Sequence, residues 1–178
     1  MQQLPEEVTR LGQEAFEAWS RFGEWLSARF GDVRVNSVGH LVVPSTDRRQ
    51  AFMLGVDDTD HGIVADLHSP FLMQVPGDAQ MIEVVAMNTG LATLGSVRLV
   101  PEEQTGTLYS LELRHQVHAA MLTQEWLHFY ADLIPRLSGE LVAMLQPAFG
   151  GACVPSASQE DTGPTGSSDS QGPFNTQY

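Results

Sequence analysis

The sequence predicts an α+β fold with an antiparallel sheet, in the order helix, several strands, helix, two strands, helix. Three observations predict it. Two long segments, one near the start and one after residue 123, repeat apolar residues at steps of three and four, the period of an amphipathic helix. Between them, short segments alternate apolar and polar residues, the period of a half-buried strand, and turn-forming Gly, Pro, Asp and Asn separate them. Helices do not alternate singly with strands, which excludes a doubly wound parallel sheet.

Residues 5 to 30 read as one long helix, with Val8, Leu11, Ala15, Trp19, Phe22, Leu26 and Phe30 on one stripe and most of the glutamates off it. Pro5 suits a first turn, and Phe16 and Trp25 widen the apolar face. Val33–Val35 and Leu41–Val43 read as strands around the turn Asn36-Ser37-Val38-Gly39-His40. Ala51–Val56 and Ile63–His68 alternate around Asp57-Asp58-Thr59-Asp60-His61-Gly62, a turn by composition, and Ser69-Pro70 and Val75-Pro76-Gly77 punctuate the stretch before the next helix. That second helix starts at Asp78 as N-cap and runs through Met81, Ile82, Val85 and Met87 to about Leu91. Ser96–Val100 and Thr107–Val117 are strands, the latter with Tyr109, Leu111, Leu113 and Val117 on one face and Ser110, Glu112, Arg114 and Gln116 on the other. The last helix runs from Thr123 as N-cap to about Phe149, with a stripe of Trp126, Phe129, Tyr130, Leu133, Leu137, Leu141, Met144 and Leu145 and a kink expected before Pro135. Residues 1–150 form the domain. Residues 151–178 are rich in Gly, Ser, Pro, Thr and Gln and are expected to be a disordered tail.

Composition narrows function by exclusion. Nine Arg, no Lys and 22 acidic residues give a net charge of −13. Such a surface disfavours nucleic acid and anionic membranes, both of which call for basic patches. The tail's only charged residues are Glu160, Asp161 and Asp169, so most of the acidity belongs to the domain. Without lysine there is no Schiff-base chemistry and no phosphate-loop lysine. The single Cys153 makes neither an internal disulfide nor a thiolate cluster. Met1–Arg10 has no basic start followed by an apolar run, and no apolar run reaches membrane length, so a cytoplasmic location is expected.

The constellations that might carry chemistry read as structural. Asp57, Asp58, Asp60 and His61 crowd one turn, but a calcium loop started at Asp58 would place Ser69 where the bidentate Glu belongs. His115 and His118, three apart in a strand, fall on opposite faces. Glu125, His128 and Asp132 share a helical face, and the Glu-x-x-His step is half of a di-iron motif whose other carboxylates are lacking. No nucleophile elbow, dinucleotide fingerprint or zinc-protease motif is present. No catalytic, metal or cofactor residue is therefore expected, and the chain reads as a non-enzyme. The remaining signal is surplus Trp and Met, which make adaptable binding surfaces.

Arg29-Phe30-Gly31-Asp32-Val33, Leu41-Val42-Val43-Pro44, Leu67-His68-Ser69-Pro70-Phe71-Leu72 to Val75-Pro76, Val97-Arg98-Leu99 and Leu111-Glu112-Leu113-Arg114-His115, with the long helix closing in Phe149-Gly150-Gly151, resemble in order and spacing the class I type III secretion chaperones and the YbjN-type proteins of similar fold, above all the YbjN-like peptide-binding-chaperone domains of actinobacteria. The resemblance spans about residues 5 to 151 and departs at Pro135 and the tail. It implies an acidic, non-enzymatic, homodimeric protein that binds an extended segment of a protein or peptide client. It also implies partner-surface positions at Phe16, Trp19, Trp25 and Met53, and a dimer seam at Met81, Val85 and Asn88. The alternative it allows is a sensory or regulatory protein that modulates a partner or binds a small ligand.

Overall fold

A computed structural model describes residues 5–44, 50–87, 95–102 and 107–154. The elements are α1 (Glu6–Thr9), α2 (Gln13–Phe30), β1 (Arg34–Val35), β2 (Leu41–Val43), β3 (Phe52–Thr59), β4 (Gly62–Pro76), α3 (Ala79–Met87), β5 (Ser96–Pro101), β6 (Leu108–His118), a 3-10 turn (Ala119–Met121), α4 (Gln124–Phe149) and β7 (Ala152–Cys153). The sheet has the order β1-β2-β3-β4-β6-β5, with β7 beside β4, and every pairing is antiparallel. The fold is thus α+β, as the pattern predicts.

Several local predictions match in detail. Thr123 caps α4 by accepting the Trp126 N–H at 3.3 Å, and Asp78 caps α3 by accepting the Met81 N–H at 2.7 Å. Asn36 Oδ1 closes the β1–β2 turn by accepting from the Val38 and His40 amides. Other expectations change. The first helix breaks between Thr9 and Gln13, where Gly12 adopts an extended conformation. A Cβ on Gly12 would lie 2.7 Å from Asp58 Oδ2, so a side chain at this turn would displace the exposed Asp58 carboxylate. Asp57, Asp58 and Thr59 belong to β3, opposite Val64, Ile63 and Gly62, which leaves Asp60-His61 as the hairpin turn. β4 runs for 15 residues through Ser69-Pro70, because the ladder to β6 absorbs the prolines at register shifts beyond Pro70. As expected, Pro135 lies inside α4, which also takes in Pro147. Ala152–Cys153, expected within the tail, pair with Leu72 and Met73; residues 155–178 lie outside the described residues.

Helices cover one face of the sheet only. Phe52, Leu54, Val56, Ala65, Leu67, Leu111, Leu113 and Val97 alternate toward α2 and α4, and meet Trp19, Phe22, Leu26, Leu127, Ile134 and Leu145. Among the contacts that tie α2 to α4, Arg29 pairs with Asp132, His128 Nε2 lies 2.8 Å from the Trp25 carbonyl oxygen, and the His128 ring meets Phe30 edge to face. The Glu125-x-x-His128 motif thus serves helix–helix packing through His128. Among the described residues no helix is long and apolar enough to cross a membrane.

Candidate functional site

Two surfaces stand out, one on each side of the sheet. The first is a flank of α4. Its buried residues are Leu127, Ala131, Leu133, Ile134, Pro135, Ser138, Leu141 and Leu145. The stripe expected from the sequence, Trp126, Phe129, Tyr130, Leu133, Leu137, Leu141, Met144 and Leu145, shares Leu133, Leu141 and Leu145 with them and departs at Trp126, Phe129 and Met144. The apolar band of the helix is wider than the part that meets the sheet. Trp126 and Met144 therefore stay 54% and 62% exposed, and Phe129 and Met121 are also exposed. At about 100° per residue, His128 and Asp132, which face α2, sit on the far side of α4 from Trp126. The flank therefore turns away from α2. Trp126, Phe129 and Tyr130 form a ring cluster with centroids 5.6–6.0 Å apart, and Tyr130 stacks on His115 of β6 at 4.6 Å. Burial lowers the pKa of His115.

The structure separates the partner-surface residues that the resemblance implies. Trp19 is buried, and its indole N–H donates to the Gly39 carbonyl at 2.9 Å, so it belongs to the core. Phe16 is exposed and packs on Trp19, while half-buried Trp25 lies about 180° round the helix from it. Met53 is half-buried on the opposite face of the sheet. These four do not form one patch. The implied seam changes as well: Met81 and Val85 are buried in this chain's own core, and Ile82 of α3 is exposed. Asn88 lies outside the described residues.

The second surface is the outer face of the sheet. Alternation places Met53, Gly55 and Asp57 of β3, Asp66 and His68 of β4, Glu112 and Arg114 of β6 and Arg98 of β5 on it. His40 reaches over from the β1–β2 turn and rests on Gly55, where a Cβ would lie 2.9 Å from the imidazole. His40, Asp57, Asp66, His68, Arg98, Glu112 and Arg114 line a cavity of about 450 Å³. Its floor is nearly dry, with Asp66 and His68 only 6% and 7% exposed. Arg114 Nε donates to Asp66 Oδ1 at 2.5 Å, and His68 Nδ1 lies 4.0 Å from Asp66 Oδ2. The His40 and His68 rings meet edge to face at 5.0 Å, and their Nδ1 atoms have no hydrogen-bond partner among the described residues.

The electrostatics follow from that burial. Desolvation, and then the neighbouring His40, push His68 down to about 4; desolvation also lowers His40 against the pull of Asp66. Desolvation and the Asp66 charge raise Glu112. Both histidines are therefore neutral at pH 7, each with one ring nitrogen that donates and one that accepts. Sequence reasoning missed this cluster. Its only trace in the sequence was the polar half of each strand's alternation. Among the described residues, no three His, Cys, Asp or Glu side chains are grouped to hold a metal ion.

Set against known proteins, the chain matches no family model, no curated protein and no solved structure.

Proposed function

We propose that the chain is a non-enzymatic, chaperone-like protein-binding module, cytoplasmic and homodimeric, that holds an extended segment of a client protein. The supporting observation is the apolar excess of α4, whose exposed Trp126, Phe129 and Met144 exceed what the core uses. Exposed aromatic and Met side chains that cluster beyond core needs mark binding surfaces. Beyond that flank, β5 bonds only to β6 among the described residues, so its outer edge is open to an added strand. Apolar side chains of a client can pack on the flank while its main chain pairs with β5. The acidic surroundings keep the patch soluble and favour a basic client. Exposed Ile82 on α3 is the seam position this reading favours for a second copy.

A random library of extended peptides, selected on the full chain, tests this reading. Enrichment of segments with alternating apolar residues is expected, together with at least tenfold weaker binding in Trp126→Ser/Phe129→Ser. A library without enrichment, or equal binding by the double variant, overturns it. Light scattering at micromolar concentration is expected to give the mass of a dimer.

The second reading, a sensory or regulatory protein that binds a small ligand, is favoured by the dry polar cavity on the outer face.

A further inference from the structure

We infer that the outer-face cavity is a binding site for a small zwitterion, a free α-amino acid or a dipeptide. The inference rests on the ligand-binding reading and names the chemistry of its ligand. Polar groups on the uncovered face of an antiparallel sheet normally stand in water. Here Asp66 and His68 are more than nine-tenths buried, and the His68 Nδ1 has no hydrogen-bond partner among the described residues. Such buried polar groups give the cavity a fixed floor, against which the charged side chains of the wall are presented. The wall is built as well: His40 occupies the space that a side chain at position 55 would fill.

The charges select the ligand. Arg98 and Arg114 carry guanidinium groups into the cavity; Asp57, Asp66 and Glu112 carry carboxyls. Asp66 is held by Arg114 through Nε, which leaves the other donors of that guanidinium fork available. Arg98 and Glu112 face each other across β5 and β6, yet neither has an ion-pair partner among the described residues. A simple anion would meet three carboxyls, and a simple cation two guanidinium groups. A molecule with both charges satisfies both: its carboxylate against Arg98 and Arg114, its ammonium against Glu112, which faces Arg98 across the strands. Neutral His40 and His68 add uncharged donors and acceptors at the floor. A cavity of about 450 Å³ admits a dipeptide.

Calorimetric titration of the full chain tests this with L-alanyl-L-alanine, L-alanine, N-acetylated dialanine, dialanine amide and inorganic phosphate. Saturable binding of dialanine or alanine is expected, and the stronger of the two identifies a peptide or an amino-acid source. Blocking either end, or replacing Arg98→Gln or Glu112→Gln, is expected to weaken binding by about tenfold or more. Arg98 is exposed, so its replacement leaves the fold in place. Equal binding of the blocked peptides overturns the zwitterion. Binding of phosphate alone overturns it too, but leaves a small-ligand site standing. Absence of binding by every probe up to about 10 mM, a free energy under about 3 kcal/mol, overturns both.

Discussion

The two faces of the sheet solve opposite problems with the same alternation. On the helix side, Leu54, Leu67 and Leu113 are fully buried and their environment is uniformly apolar. On the outer side, one residue along each strand, Gly55, Asp66, His68 and Arg114 build a dry polar surface that needs matched partners to persist. The comparison teaches that burial alone does not distinguish structure from function. Burial of apolar groups stabilises outright; burial of polar groups stabilises only when every partner is present.

The largest effect is expected in the core. Phe22→Ala removes a fully buried ring and should cost about 4 kcal/mol in urea unfolding. An outer-face Met53→Ala, at a half-buried position, should cost well under half as much. Equal losses would mean that the outer face is packed as tightly as the inner one.

Acid comes next. His68 sits at about 4 in the folded chain against 6.5 unfolded, so above pH 6.5 neither state holds the proton and nothing is lost. Below 6.5 the unfolded chain takes up protons that the folded chain refuses, and stability falls until about pH 4. The full loss is about 3 kcal/mol from this residue, and His40 and His115 act in the same direction. His68→Gln should flatten the slope of unfolding free energy between pH 6.5 and 4; an unchanged slope would show that His68 is not held neutral by its burial.

Arg114→Ala strands the Asp66 carboxylate at a buried position and should cost about 2 kcal/mol, less than a fully buried pair because the guanidinium side chain is 20% exposed. Removing both partners in Arg114→Leu/Asp66→Leu should recover part of the loss, since a buried ion pair often exchanges for apolar residues at little cost. The smallest effect is expected on the α4 flank. Trp126→Ser/Phe129→Ser should change stability by less than about 1 kcal/mol, because the rings are about half exposed. A larger loss would place them in the structural core.

The two faces were not equally legible in the sequence. The inner face could be read, because periodicity reports burial directly: β2 and α4 fall where the pattern puts them, and the caps at Thr123 and Asp78 are local chemistry. Periodicity also misleads where it is redundant. Val8 and Leu11 keep the helical step across the break before Gly12, and the apolar band of α4 is wider than the part that meets the sheet, which leaves Trp126, Phe129 and Met144 exposed. Trp19 looked like binding surface because a sequence does not show the Gly39 carbonyl that accepts its N–H. The outer cavity was illegible because His40, Asp66, His68, Arg98, Glu112 and Arg114 come from separate segments, and only strand register brings them together.

Hydrogen exchange with and without the tightest library peptide tests the central claim most directly, since it reads both faces at once. Client binding on the helix side predicts slowed exchange along Trp126–Met144 of α4 together with the β5 amides Ser96–Val100, with β3 and β4 unchanged. Protection confined to the strands that line the cavity, with none in α4, would contradict the account.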